Sequence, residues 1–383
     1  MDLDFSEDQE QFRAELRTLL EARLPDDWVG IFHGPDDYLD LSFDVTREMA
    51  ERGWLTQTWP EEYGGQNASN WRQVVLQEEA WAYFEPRGGQ YMGVNWIGPA
   101  IIEFGTDEQK AKYLPRIAAG DVQWAQLFSE PGAGSDLAAL RTKATPSGDE
   151  FVINGEKIWT SYGDFAEFGV LVARCEQGSE RHAGLVVLLI DMSTPGVEVK
   201  TISTPLGKHK LNSVVFTDAV IPADAVLGTP GNGWRVAMAS LAFERVGVAR
   251  YARSTRILGE LERLPEADRP DIRRDIAGAL ASARVAELMS YLVVDMKERG
   301  EVPTWQGSAA RVHNVTLEQR VAAIADQVLG TSALADSHDT WAVEGGEIED
   351  FVRLAPTGTV TAGAYEIQMG IIAQRGLGLE RIR

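Results

Sequence analysis

The run Phe128-Ser129-Glu130-Pro131-Gly132-Ala133-Gly134-Ser135-Asp136 puts two hydroxyls and two flexible glycines on one short stretch. Glycine lets backbone N–H groups come close to a phosphate or to the edge of a ring cofactor. A plain solvent loop has the same composition, so the run carries weight only in company. A second candidate is Glu244, within Leu241-Ala242-Phe243-Glu244-Arg245-Val246-Gly247. On a helix its neighbours three and four residues away are Ser240, Leu241, Gly247 and Val248, none of them charged. A carboxylate on such a face loses water, which raises its pKa and makes it a better proton acceptor. A buried ion pair with a distant arginine, or with Arg245 across a bend, fits the same pattern.

Other reactive types are sparse. Cys175 stands alone, so an internal disulfide is impossible and a reducing compartment is expected. It reads more simply as a small apolar residue in a strand spanning Gly169 to Glu176 than as a catalytic thiol. His33, His182, His209, His313 and His338 are scattered without metal-ligand spacing, so no zinc site is expected.

The elements that must position these residues change character twice. Residues 1–120 read as helical: Ser6 and Gln9 have capping-box spacing, and Phe12, Leu16, Leu19, Leu20 and Leu24 recur on one face. The turn-rich Trp59-Pro60-Glu61-Glu62-Tyr63-Gly64-Gly65 interrupts them, and a further helix is expected from Thr106 to Gly120. Residues 121–230 read as short strands, making a small β-barrel or sandwich. Within them, Asn154-Gly155 predicts a hairpin turn between Phe151-Val152-Ile153 and Lys157-Ile158-Trp159. Further strands are expected at 170–173, 185–190, 197–202 and 213–221. Residues 231–383 return to helical spacing, with helices expected at 232–262, 267–299, 308–335 and 358–375, the makings of a four-helix bundle.

At 383 residues the chain is long enough for two or three packed units. Hydrophobic residues make up 44% and charged residues 25%, the balance of a globular protein and not of a disordered one. The net charge of -22 repels phosphate polymers and argues against a nucleic-acid or acidic-membrane partner. No apolar run approaches the length of a membrane span, and the acidic start Met1 to Gln11 resembles no signal or transit peptide; a cytoplasmic protein is expected.

Taken together, the motifs resemble the acyl-CoA dehydrogenase family over nearly the whole chain. Ser129 to Asp136 with Lys143-Ala144 is similar to the family's flavin loop, and Asn154 to Ser161 to the hairpin whose Trp stacks by the flavin. Trp59-Pro60 with Tyr63-Gly64-Gly65, Gly105 to Lys110 through Tyr113-Leu114-Pro115, and Glu366-Ile367-Gln368 with Leu377-Gly378-Leu379 fit in the same order. The resemblance implies an α+β fold: N-terminal helical domain, middle β-barrel domain and C-terminal four-helix bundle. It also implies FAD and an acyl-CoA thioester oxidised to the 2-enoyl-CoA. By position, Gln126, Phe128, Ser129, Gly134 and Ser135 would contact the isoalloxazine side, and Trp159, Thr160 and Ser161 would cover another face. For Trp159 a core aromatic is the alternative. Ser135 would also meet the CoA pyrophosphate arm, and Arg245 the thioester end of the substrate.

The departures from the family are as informative. The base usually sits just before a Gly-Thr pair near the last helix; here Thr361-Ala362-Gly363-Ala364 puts alanine there. A second base position exists in the family, and in this chain it is Glu244. The segment that reaches the FAD of a neighbouring subunit is missing between Tyr251 and Met289. Gln327-Val328-Leu329-Gly330-Thr331 replaces the usual Gln and Gly-Gly turn, leaving Gln327 and Gly330 as the remaining candidates there. These losses, with the acidic stretch Glu344 to Asp350, resemble the bacterial subgroup acting on steroid or other bulky CoA thioesters, often as α2β2 heteromers. Three functions follow as expectations. One is a dehydrogenase with Glu244 as base and an electron-transfer flavoprotein as acceptor, as a homodimer, homotetramer or α2β2 assembly. The others are an FAD-binding or non-catalytic partner subunit and a flavin oxidase or monooxygenase on the same fold.

Overall fold

A computed structural model describes residues 4–30, 37–176, 181–244, 249–337 and 339–380; the side chains of residues 37, 207–210, 243 and 244 also lie outside the description. The N-terminal elements are α1 (Glu7–Arg23), α2 (Asp37–Glu51), α3 (Asn70–Ala82), α4 (Gln90–Met92), α5 (Gly98–Phe104) and α6 (Asp107–Ala118), with a π-helical turn at Gly93–Ile97. The strands are β1 (Trp124–Leu127), β2 (Lys143–Ser147), β3 (Glu150–Ser161), β4 (Phe168–Arg174), β5 (Leu185–Asp191), β6 (Val197–Thr204) and β7 (Gly207–Pro222). Helices α7 (Gly233–Glu244), α8 (Arg250–Arg263), α9 (Pro270–Glu298), α10 (Gln306–Leu329), α11 (Glu347–Leu354) and α12 (Tyr365–Ile371) follow. Two compact units share these elements: residues 1–45, 68–86 and 245–383 form one, residues 46–67 and 87–244 the other.

In the first unit α1, α3, α8, α9, α10, α11 and α12 pack helix on helix. The Ser6–Gln9 capping box starts α1, with Gln9 N donating to Ser6 Oγ at 3.3 Å and Ser6 N to Gln9 Oε1 at 2.9 Å. Phe12, Leu16, Leu19 and Leu20 are buried as their spacing requires, whereas Leu24 is the C-cap. Ile257, Leu258 and Leu261 of α8 meet Ile272 and Ile276 of α9 and Val321, Ile324 and Val328 of α10 in one core. Long and apolar enough by composition to cross a bilayer, α9 is here a bundle helix packed against α8 and α10. The expected helix over 358–375 begins only at Tyr365, because Ala362 (φ 51°) and Gly363 (φ 88°) hold left-handed backbone that no helix can include.

One polar cluster ties this unit together. The Glu78 carboxylate accepts from Tyr251 Oη at 2.6 Å and Tyr291 Oη at 2.7 Å, and pairs with Arg13 at 2.7 Å. Burial first, then the Glu78 charge, pushes both phenols above their ordinary value of 10. A phenol whose pKa is higher folded than unfolded keeps its proton where the unfolded chain has lost it. Its contribution is therefore complete below about pH 10 and declines as pH rises beyond that. Urea midpoints should fall between about pH 9 and about pH 11, and Tyr251→Phe should make the fall shallower; an equal slope in the variant would assign the loss to other groups.

The second unit is built on a curled seven-stranded sheet of order β1-β4-β2-β3-β7-β6, with β5 on the other side of β4. β1 runs parallel to β4, and β4 and β5 are antiparallel from Phe168↔Asp191 to Arg174↔Leu185. Both strands are buried almost throughout, as their unbroken apolar runs require. Thr106 caps α6 in a second capping box with Gln109, and Gly120 (φ 70°) follows its end.

The expected turn at Asn154-Gly155 is not there. β3 runs straight through it, and the β2–β3 hairpin turns instead at Gly148-Asp149, where Gly148 has φ 61°. Asn154 is absorbed by a bulge in the partner strand: Asp218 (φ 48°) exchanges hydrogen bonds with the Asn154 side chain at 2.9 and 3.0 Å. Gly155 is needed for a different reason, since a Cβ there would fall 2.6 Å from Thr142 Oγ1. The expected single helix over 232–262 is present as α7 and α8.

Candidate functional site

Strand alternation explains how β3 delivers its chemistry. Phe151, Ile153 and Lys157 all occupy the inward set, so Lys157 is a fully buried lysine at an ordinary core position of the strand. Between Lys157↔Val214 and Thr160↔Asn212 the register slips by one residue on β3. The bulge falls at Trp159, whose φ of 61° is unfavourable for a residue with a Cβ. Alternation is thereby reset: Thr160 turns inward and Trp159 outward, the indole 55% exposed while Thr160 is buried. An exposed tryptophan held in a costly conformation marks a functional surface better than a core position, which removes the core-aromatic reading.

Lys157 is paired with the glycine loop. Its Nζ donates to Glu130 Oε1 at 2.8 Å and to Phe128 O at 3.0 Å. Ile158 N donates to Ser129 O at 2.9 Å, and the second Glu130 oxygen accepts from Arg141 N at 2.6 Å. Thr142 N also donates to Glu130 Oε1, at 2.9 Å. Burial lowers the Lys157 ammonium to about 8 even against the Glu130 charge. Burial would raise Glu130, but Lys157 and its other donors outweigh it and hold the carboxyl below its ordinary value. Neither Glu130 nor Lys157 is evident as a site residue from the sequence; the signal is the period-two inward position of Lys157.

Beyond Glu130 the loop is open. Glu130 and Ala133 exchange backbone hydrogen bonds at 3.0 Å, and the following Gly134, Ser135 and Asp136 are exposed. A Cβ built at Gly132 or Gly134 would have no atom within 4 Å. Gln126 is half-buried on β1, Phe128 is buried, and Ser129 and Ser161 are half-buried. Thr160 Oγ1 is buried without a hydrogen-bond partner among the described residues. An uncrowded glycine loop, an outward indole and an orphaned hydroxyl beside it suit a flat, polar-edged ring group such as a flavin.

The remaining candidates are placed separately. α7 begins at Gly233, where a Cβ would fall 2.6–2.7 Å from the Leu185–Val186 backbone, so the helix starts flush on β5. It also packs against α5 and the π-helical turn at Gly93–Ile97, and its last residue is Glu244. The Glu244 side chain and all of Arg245 lie outside the described residues. In the helical unit, Gln327 is exposed with its side chain donating to Ala323 O at 3.2 Å, and Gly330 (φ 56°) ends α10. Ala362 offers no carboxylate. The Cys175 thiol is raised by burial and donates to Gly184 O at 3.3 Å, the state of an inert packing residue.

Comparison with known proteins agrees with this architecture. Models of the acyl-CoA dehydrogenase N-terminal, middle and C-terminal domains match residues 6–121, 125–219 and 231–377. The chain is 36% identical to acyl-CoA dehydrogenase IpdE1 of Mycobacterium tuberculosis, over 98% of this chain and 99% of that protein. Among solved structures it matches the Tcur3481-Tcur3483 steroid ACAD with TM-score 0.92 and 30% identity, covering 100% of both chains. It also matches the ChsE4-ChsE5 complex from Mycobacterium tuberculosis with TM-score 0.89 and 29% identity, again over 100% of both. Helical N-terminal region, curled sheet and helical C-terminal region define a flavin-dependent oxidoreductase acting on CH–CH bonds. The chain belongs to the acyl-CoA dehydrogenase family, and FAD is its cofactor.

Proposed function

We propose that this chain oxidises the CoA thioester of a steroid-derived or similarly bulky acid to its 2-enoyl-CoA, with Glu244 as the base. The observation that carries the reading is the pair of carboxylate positions: Ala362 leaves the usual one empty of any acceptor, while α7 ends on Glu244. Glu244 takes the proton from the carbon α to the thioester carbonyl, and the electron pair left behind becomes the new C=C bond. FAD, when bound, supplies the acceptor for the hydride that leaves the β carbon. Gln126, Phe128, Ser129, Gly134 and Ser135 would hold one side of the isoalloxazine, and Trp159, Thr160 and Ser161 would cover another. Ser135 also meets the CoA pyrophosphate arm, and Arg245 the thioester end. Gln327 and Gly330 serve a flavin at a subunit boundary. An electron-transfer flavoprotein would be the partner that takes the electrons onward.

The bulky acyl group is supported by the steroid-acting neighbour and by the departures at Ala362 and at Gln327 to Thr331, which resemble that subgroup. Anaerobic mixing with a panel of acyl-CoAs, including a steroid-side-chain CoA, tests it directly: bleaching is expected with the bulky thioesters, and bleaching by straight-chain substrates alone would overturn the substrate class.

A second reading is a subunit that needs a companion chain. Two of the solved neighbours are two-chain assemblies by name. Val360, Ile367, Met369, Leu377 and Leu379 are exposed apolar residues grouped near the end of the chain, a composition that suits burial against a related chain in an α2β2 or homomeric assembly. Flavin absorbance per subunit, measured with the chain alone and with its companion, separates the readings. A chain that is flavin-loaded and bleaches alone is autonomous; one that gains both only with the companion is a partner subunit.

A further inference from the structure

We infer that the buried Lys157–Glu130 pair positions FAD by fixing the spacing between the glycine loop and the strand end Trp159–Ser161. The inference rests on the flavin assignment of those two segments. Three consecutive loop residues are tied to two consecutive residues of β3. Phe128 O and Glu130 Oε1 accept from Lys157 Nζ, and Ser129 O accepts from Ile158 N. The Glu130 carboxylate also accepts from Arg141 N and Thr142 N, so the excursion 131–140 leaves from and returns to one side chain. Nothing else crowds the glycines at its tip: no atom lies within 4 Å of a Cβ built at Gly132 or Gly134. The pair sets the loop at its base, and Arg174 holds the returning limb by donating to Ala138 O at 3.0 Å and Leu140 O at 3.4 Å.

A packing role alone does not account for it. Two apolar side chains of similar volume would hold sheet and loop together without desolvating charges. They could not donate to Phe128 O or accept from two backbone N–H groups. The pair thus supplies orientation that a hydrophobic contact lacks, two residues along the strand from Trp159. Lys157 and Glu130 are positioning residues, since the flavin assignment places Phe128, Ser129 and Trp159 between them and the ring.

The test uses the FAD-loaded protein. Lys157→Met with Glu130→Gln removes both charges together, leaving no unpaired buried ion. FAD release after dilution, followed by flavin fluorescence, is expected to quicken about tenfold. The urea midpoint by circular dichroism should stay close to that of the parent. Release that is unchanged, or that quickens only in step with a falling midpoint, overturns the inference. Should the double variant fail to fold, Glu130→Gln alone keeps the shape and is expected to quicken release by a smaller factor; unchanged release again overturns it. Trp159→Ala serves as the reference. If it raises bound-flavin emission while the pair variants do nothing, the positioning inference fails and the site assignment survives. If Trp159→Ala is silent as well, the site assignment fails and takes the inference with it.

Discussion

Glu244→Gln should leave flavin content unchanged and slow anaerobic bleaching by an acyl-CoA about 10³-fold, within the range that a positioned general base supplies. Glutamine has nearly the shape of glutamate and cannot accept the α proton. The helix that carries the residue is anchored at its other end, where Gly233 lies flush on the Leu185–Val186 backbone, and it is packed along α5 and β5. The substitution therefore removes the acceptor without loosening its support. No second carboxylate stands at the family's usual position, because residue 362 is alanine. A variant that bleaches within about threefold of the parent would place the base elsewhere.

Much of the frame was legible because local chemistry decides it. The Ser6–Gln9 capping box forms as its spacing announces, and the helix expected from Thr106 does start there, with a capping box of its own to Gln109. The unbroken apolar runs of β4 and β5 are buried on both faces, as such runs must be. Where long-range pairing decides, the sequence misleads. Asn154-Gly155 has the composition of a tight turn, yet Asn154 spends its side chain on the Asp218 bulge of a strand 64 residues away. The turn itself went to Gly148-Asp149, and two short strands, β1 and β2, carry too few residues to announce themselves.

The candidate site divides the same way. Its loop and Trp159 are read from motif alone. The bulge that turns Trp159 outward and Thr160 inward depends on the register with β7, which no local pattern encodes. Lys157 looks like a surface lysine until alternation is counted from Phe151, and its partner Glu130 lies 27 residues away. The acidic stretch Glu344 to Asp350 carries no local sign of a partner, yet Glu347 is buried in a bidentate pair with Arg256 at 2.7 and 3.0 Å. Charge in a sequence says little about solvent when its partner is distant in the chain.

Glu318→Ala should be the most destabilising single change in the helical unit, by about 3–5 kcal/mol, because it strands charge in the core. Glu318 is wholly buried on α10 and accepts from Arg250 Nη1 at 3.0 and 3.2 Å, with Arg253 Nη2 at 3.7 Å. Arg253 is itself buried, its guanidinium 5.1 Å from the Phe351 ring centroid and 5.8 Å from those of Trp81 and Phe84. Burial lowers its pKa, with Glu318 the first charge opposing that effect. Glycine at 358 belongs to the same arrangement, since a Cβ there would fall 2.7 Å from Glu318 Oε2. The loss is read from urea midpoints. Combining Glu318→Ala with Arg253→Met should recover part of it, because one of the two stranded cations is then gone, whereas independent effects would simply add. A loss below about 1 kcal/mol would mean that water reaches the arginines once the carboxylate is removed.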